Sequence, residues 1–453
     1  MTADETSEGL RPSLSVFDTA MVVVSLVVGI GIFRTPALVA GAVGGAGPFL
    51  LAWVIGGAVA VVGALVFAEI GSRYPRAGGF YKVVAYCFHP LPAFLLNWAQ
   101  VLMQGAGAAG VAVVGSEYLL RALGRGAGGG GAPAGLAAIM LGVLLGLNAL
   151  GVKTGARAQN LLSLSKIVLI FGLAALGLIL APDAESQSLV STAGKEGAAG
   201  PGLAAWLTAL TAVFYAYGGC QNTMNLAGDV RDARVKLPRA VLLGIGIVAA
   251  LYLSINAAYV RALGTEAVAA SPLVAADLAR RAVGRGGETF VSLAIFLSAA
   301  GFVNATILHV PRTYVAMAED RLLPSVLGRL DPRTRAQGPG LLFFAATALV
   351  PLLFLGSFES LLSYVMFTDA LSLALVASCL FRLRRRGEGD RTGSAWRMPG
   401  YPWLPASFVL VVLGVAATVL VGQTRIALAG CAVILLGIPL YVIMRRSLTS
   451  SAV

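Results

Sequence analysis

The sequence predicts an all-α membrane protein that crosses the bilayer many times, and three observations lead there. Hydrophobic residues make up 58% of its 453 positions and charged residues 12%, where soluble domains carry roughly half and a quarter. The apolar residues fall in runs of about 20, the length a helix needs to cross hydrocarbon. Lysine and arginine outnumber the acids 33 to 21, for a net charge of +12, and they collect between those runs. Such a basic chain invites a nucleic-acid reading, yet charge placed between apolar spans is what membrane topology requires. Lipid, not nucleic acid, is the expected partner.

Twelve spans are predicted, near 16–40, 47–70, 88–120, 134–151, 157–181, 202–226, 238–262, 287–317, 339–356, 360–382, 403–422 and 425–444. Residues 272–285 read as a short helix outside the membrane. Gly124–Gly131 (GRGAGGGG) reads as a linker, because it lacks the Gly-Lys-Ser/Thr ending of a phosphate loop. With the N-terminus inside, the inner connections hold 23 lysines and arginines and the outer ones eight; Arg34 and Lys166 lie within spans. That bias places both termini in the cytoplasm. Residues 1–15 and 445–453 are then cytoplasmic tails and 383–402 a basic cytoplasmic loop, in a protein of the cell (inner) membrane. The first 18 residues lack the pattern of a cleavable signal peptide.

Cys87, Cys220, Cys379 and Cys431 are scattered, and His89 and His309 are the two histidines. Neither a zinc cluster nor a histidine-based triad is expected. No metal, cofactor or enzymatic activity is predicted, and without an ATP-binding loop any work must draw on gradients or exchange.

Two spans carry glycines where a helix should continue. The first reads Val27-Val28-Gly29-Ile30-Gly31-Ile32-Phe33, and the sixth Tyr215-Ala216-Tyr217-Gly218-Gly219-Cys220-Gln221-Asn222. Each such glycine weakens a helix by about 1 kcal/mol relative to alanine. A single pair is as well explained by close helix packing. Two pairs in the first and sixth spans hold matching positions in two five-span halves, 16–181 and 202–382, with two further helices at 403–444. Interrupted segments so placed point to a transporter built on inverted repeats. Unwound backbone in a membrane must face protein, water or substrate. The amides from Gly29 to Ile32, at a positive helix end, suit a carboxylate; freed carbonyls at the two preceding half-helix ends suit an ammonium. A zwitterionic α-amino acid offers both poles.

At these residues the chain resembles the amino acid–polyamine–organocation superfamily, especially its bacterial permeases and the L-type amino acid transporter branch. The likeness covers roughly 14–445. Gly29-Ile30-Gly31-Ile32-Phe33 resembles that family's GSGIF, and Glu69-Ile70-Gly71 with Pro75, Gly78-Gly79 and Tyr81 its E-L-G…P…G-G-x-Y. Tyr215 to Gly219 and Leu237-Pro238-Arg239 are similar to F-A-Y-G-G and N-L-P-R-A, and Gly301-Phe302-Val303-Asn304, Arg312 and Leu323-Pro324 to the eighth span and its exit. The resemblance implies a 5+5 inverted-repeat fold with broken helices 1 and 6, and alternating access. It implies a substrate carboxylate held by the backbone of Val28, Gly29, Ile30 and Gly31, and an amino group held by carbonyls of Tyr215, Ala216 and Gly218. Tyr215 would shut the outer path; Tyr217, Gln221 and Gln104 would line the pocket. Ile30 replaces a serine, Cys220 a tryptophan and Gln221 an asparagine, a set that favours small or medium neutral substrates. The cysteine by which animal relatives bond a heavy chain is missing, so no covalent heavy-chain partner is expected.

Lys166 in span five costs about 3 kcal/mol or more within the membrane, unless it snorkels to the interface. In similar sodium-independent permeases a lysine there stands in for a sodium ion. Asp369 in span ten reads either as a proton-linked acid or as a structural hydrogen-bonding group. Glu69 reads as a gate or helix-end acid near the cytoplasm, and Arg34 as a steering group for carboxylates or a side chain reaching the outer interface. The expected function is sodium-independent secondary transport of L-amino acids, by proton symport or exchange. A channel or amino acid sensor on the same fold is the alternative, but no repeated pore-lining motif is present.

Overall fold

The computed structural model describes residues 15–74, 79–125, 131–149, 168–179, 201–219, 221, 233–319, 323–329, 337–389 and 396–450. These residues form helices and irregular connections, with no strand among them. In chain order the helices are α1 (Val16–Val27), α2 (Gly31–Val43), α3 (Ala46–Arg73), α4 (Gly79–Cys87), α5 (Pro90–Ala122) and α6 (Ala132–Ala149). A shorter apolar helix follows, α7 (Val168–Ile179). Then come α8 (Leu203–Ala216), α9 (Ala233–Leu263), α10 (Thr265–Ala270), α11 (Val274–Val283), α12 (Arg285–Glu319), α13 (Gly338–Leu355), α14 (Phe358–Arg385), α15 (Trp403–Gly422) and α16 (Thr424–Ser450). Among the described residues nine helices are long and apolar enough to cross a membrane, and α2, α7 and α8 are shorter apolar ones.

The predicted spans fall on these helices where both are described, and their ends differ for local reasons. The third span starts at Pro90 because His89 accepts the Leu91 amide at 3.1 Å and proline occupies the first helical position, a cap that hydropathy cannot see. The short helix predicted at 272–285 is there as α11, preceded by the six-residue α10, and Gly284, at φ +82°, ends α11 so that Arg285 opens α12. The pair packs against α2 and α9 and buries Val274, Ala275, Leu278 and Ala279. Helix α4 is short, lies in the inner connection around Lys82, and hydropathy does not reveal it. Lys166 and residues 222–226 of the sixth span lie outside the described residues.

Glu69, near the end of α3, fastens one end of the bundle. Its Oε1 accepts from Arg73 Nε at 2.6 Å and Arg384 Nε at 2.8 Å; Oε2 accepts from Arg384 Nη2 at 2.7 Å and the Met398 amide at 2.9 Å. A carboxylate with no solvent exposure is tolerable only when paired and bonded in this way. The network ties α3 to the end of α14 and to the loop after it, where Ser72 Oγ also accepts the Trp396 amide. Arg73 reaches the Glu388 carbonyl at 2.8 Å, and Tyr86 of α4 donates to the Glu388 carboxylate, which raises the phenol above its ordinary pKa. Replacing Glu69 with alanine strands two arginines, and breaking such a buried pair costs about 3–5 kcal/mol. The expected result is a clear fall in unfolding temperature of the purified protein in detergent; an unchanged value would refute the anchoring role.

Candidate functional site: two facing helix breaks

The first break spans three residues. Helix α1 ends at Val27, and Val28, Gly29 and Ile30 lie outside regular helix before α2 begins at Gly31. The first amides of any helix lack intrahelical acceptors. Here the N-cap is Ile30, with no side chain able to accept, and the first turn holds no acid. Among the described residues no side chain caps the positive end of α2.

The second break closes α8 at Ala216. Tyr217 donates its amide to the Val213 carbonyl at 3.1 Å, and Gly218 donates to Tyr215 O at 3.0 Å. Gly219 takes φ +105°, a conformation that favours glycine, and its amide is accepted by Gln221 Oε1 at 2.9 Å. Tyr215 O is thus engaged by the turn. Ala216 O has one described donor, Tyr252 Oη at 3.1 Å, which leaves a lone pair on this carbonyl.

The two breaks touch. A Cβ placed on Gly31 would lie 3.0 Å from Ala216 Cα and 3.3 Å from the Tyr215 ring, and one on Gly218 would lie 2.9 Å from Tyr215 O. Gly29, by contrast, has only the Val27 carbonyl within range, at 3.9 Å. Tyr252 of α9 spans the contact: its hydroxyl sits 3.2 Å from Val27 O and 3.1 Å from Ala216 O, the last residues of α1 and α8. Behind it Trp53, Tyr217 and Tyr252 form an aromatic block with ring centroids 5.0 to 6.2 Å apart.

Over the breaks, the Tyr215 ring meets Phe358 edge-on at 6.0 Å. Arg34, one turn into α2, is 8% exposed. It donates to Pro272 O at 2.8 Å and Glu359 Oε1 at 2.6 Å, and it pairs with Glu117 at 3.4 Å. Asp369 is buried in α14 and accepts from Gln100 Nε2 at 3.2 Å. No group of three or more metal-ligating side chains occurs among the described residues.

The two broken helices meet here, and the N-cap of α2 makes no side-chain hydrogen bond. Residues 14–440 match the family model for amino acid permeases. The chain belongs to the amino acid permease family. This permease is 26% identical over 441 residues to the serine/threonine exchanger SteT of Bacillus subtilis, which covers 97% of this chain and 98% of that one. It is 26% identical over 397 residues to the human large neutral amino acids transporter small subunit 2, covering 84% and 70%. It is also 24% identical over 396 residues to the human cystine/glutamate transporter, covering 84% and 74%. These relatives are transporters, not enzymes, and this permease is a multi-pass membrane protein.

Of the residues singled out from sequence, Val28, Gly29, Ile30, Gly31, Tyr215, Ala216 and Gly218 lie along the two breaks. Tyr217 turns its ring away into the aromatic block and is 1% exposed, while Gln221 folds back on Gly219. Gln104 is half-buried on α5, one turn beyond Gln100. Tyr252, Trp53, Gln100, Glu117 and Glu359 were not legible as site residues, because their partners lie far away in sequence.

Two outcomes follow for the permease. Gly31→Ala forces a side chain onto the Ala216 backbone, and overpacking of this kind costs about 1–3 kcal/mol; substrate affinity should fall by roughly tenfold. Gly29→Ala has room and should bind nearly as the unmodified protein does. Equal losses from both would refute the close-approach requirement. Tyr252→Phe keeps the ring but strips two carbonyls of their hydroxyl donor, at about 1–3 kcal/mol. Affinity measured by scintillation proximity should drop several-fold with the protein still folded.

Proposed function

We propose that the chain is a sodium-independent secondary transporter of L-amino acids, with small or medium neutral substrates favoured, working by alternating access. The observation that carries this reading is the uncapped start of α2 lying against the last turn of α8. The substrate carboxylate takes the amides along Val28, Gly29, Ile30 and Gly31. The ammonium takes the carbonyls of Ala216 and Gly218, joined by that of Tyr215 once the turn at Gly218 opens. Tyr215, against Phe358, closes the outer path.

In this reading α1 with α2, and α8 with the segment after it, each count as one span. With α7 they complete twelve spans: two inverted five-span repeats, 16–181 and 202–382, followed by 403–444. Both termini face the cytoplasm, and the Glu69 end is cytoplasmic. The excess of basic residues at 383–402 supports that orientation. The serine/threonine exchanger and the large neutral amino acids transporter support a neutral cargo.

Asp369 and Lys166 are the coupling candidates. Charge at bilayer depth is costly without a partner, and the one described partner of Asp369 is a neutral amide. A proton carried there and released on one side would link transport to pH.

Purified protein in proteoliposomes tests this. With a panel of labelled amino acids, uptake only into vesicles preloaded with amino acid indicates exchange, and uptake driven by an acid-outside gradient indicates symport. Asp369→Asn should abolish the pH response while exchange at fixed pH persists. No movement of any panel member under either condition would overturn the reading.

A further inference from the structure

Where the first turn of α2 meets the end of α5 and the start of α14, one arginine faces two acids. Arg34 holds Glu359 at 2.6 Å and Glu117 at 3.4 Å, and its remaining described bond goes to the neutral Pro272 carbonyl. The Glu117 side chain is 13% exposed, and its Oε2, the oxygen 3.4 Å from Arg34 Nη1, is buried and held by that ion pair without a hydrogen bond. One turn further along α5 the imbalance repeats. Arg121 pairs with Asp277 at 2.5 Å and with Glu288. Arg280 reaches Glu288 only at 3.8 Å from a side chain 64% exposed, and Arg281 and Arg285 are also exposed. Salt screens such exposed charges far more than the buried ones. The sheltered part of this cluster therefore carries more carboxylates than cations.

The cluster also lies beside Tyr215, the side chain that closes the outer path on the transport reading. Arg34 is three residues past Gly31 on the same helix, hence on the same face, and its guanidinium sits 5.7 Å from the centre of the Phe358 ring that meets Tyr215. Any entry past Tyr215 must part Arg34 from at least one acid, which leaves that carboxylate facing the passing substrate.

Resting on the transport reading above, we propose that this cluster excludes anionic amino acids, with Glu117 the specificity-determining residue. The backbone cradle grips only the α-carboxylate and ammonium that all amino acids share. One relative is named for carrying glutamate, so the family's shared frame does not itself reject a second negative charge. Side chains at the entrance must. Like charges brought together without compensation are strongly disfavoured, and Glu117 is the acid whose buried oxygen has no hydrogen bond.

The test compares initial uptake of L-glutamate and of a neutral amino acid by the full chain in proteoliposomes at pH 7. The unmodified protein should prefer the neutral substrate by at least ~10-fold, the scale that like-charge repulsion sets. Glu117→Gln should lower that ratio at least ~5-fold through faster glutamate uptake. Glu359→Gln, whose side chain is 41% exposed, should shift it in the same direction by less; it also serves if Glu117→Gln fails to fold. Glutamate uptake as fast as neutral uptake in the unmodified protein overturns this inference alone, as does an unchanged ratio in the variants. A protein that moves no amino acid of any charge overturns both readings.

Discussion

Backbone-to-backbone contact between the two interrupted helices is the constraint on which the rest of this structure depends. An isolated break in a membrane helix exposes amides and carbonyls that hydrocarbon cannot satisfy. Two breaks in contact shelter one another, provided that no side chain holds them apart. Gly31 meets that condition, with Ala216 Cα only 3.0 Å from where a Cβ would stand. The same closeness sets a positive helix start beside a carbonyl-rich helix end. An inserted side chain would increase the separation of those opposite poles and spoil the fit to a short zwitterion.

Contact alone would still leave the carbonyls of Val27 and Ala216 poorly served. Tyr252 supplies both from a third helix, and its ring is held by Trp53 and Tyr217. The breaks thus have a fixed side, toward α9. On the proposed reading, relatives named for serine and threonine, for large neutral amino acids and for cystine and glutamate can share one frame, because the main chain addresses what every amino acid has in common. On the same reading, discrimination is left to side chains beside the breaks, where this chain places Ile30, Phe358 and the Arg34 cluster.

Sequence reveals some of this and hides the rest, for physical reasons. Long apolar runs must be helices in lipid, so α3, α5, α9, α14 and α15 could be read directly. The glycines at 29–31 and 218–219 announce loss of helix, because few other residues carry that meaning in mid-span. What no linear pattern contains is the partner. Arg34 could be read as steering substrate or reaching the interface, and nothing near it in the chain announces its partners, 238 and 325 residues away. Tyr252 looks like one more aromatic in an apolar helix until Val27 and Ala216 arrive beside it. Equally, nothing in the sequence separates Gly29, which has room for a side chain, from Gly31, which has none.

Helix α14 carries the two ion clusters at opposite ends, and they differ in kind. At Glu69 one carboxylate has four donors, including the forked guanidinium of Arg384, and every oxygen lone pair in reach is used. At Arg34 one cation is divided between two acids and a carbonyl, and one acid oxygen has no hydrogen bond. Parting the first strips a buried charge of all its compensation. Parting the second lets Arg34 keep Glu117 or Glu359 whichever way α2 moves, so the loss is partial. Any rearrangement that opens a route to the breaks therefore meets the smaller electrostatic barrier at the Arg34 end. The Glu69 end yields only if α3, the end of α14 and the 396–398 segment move as one body.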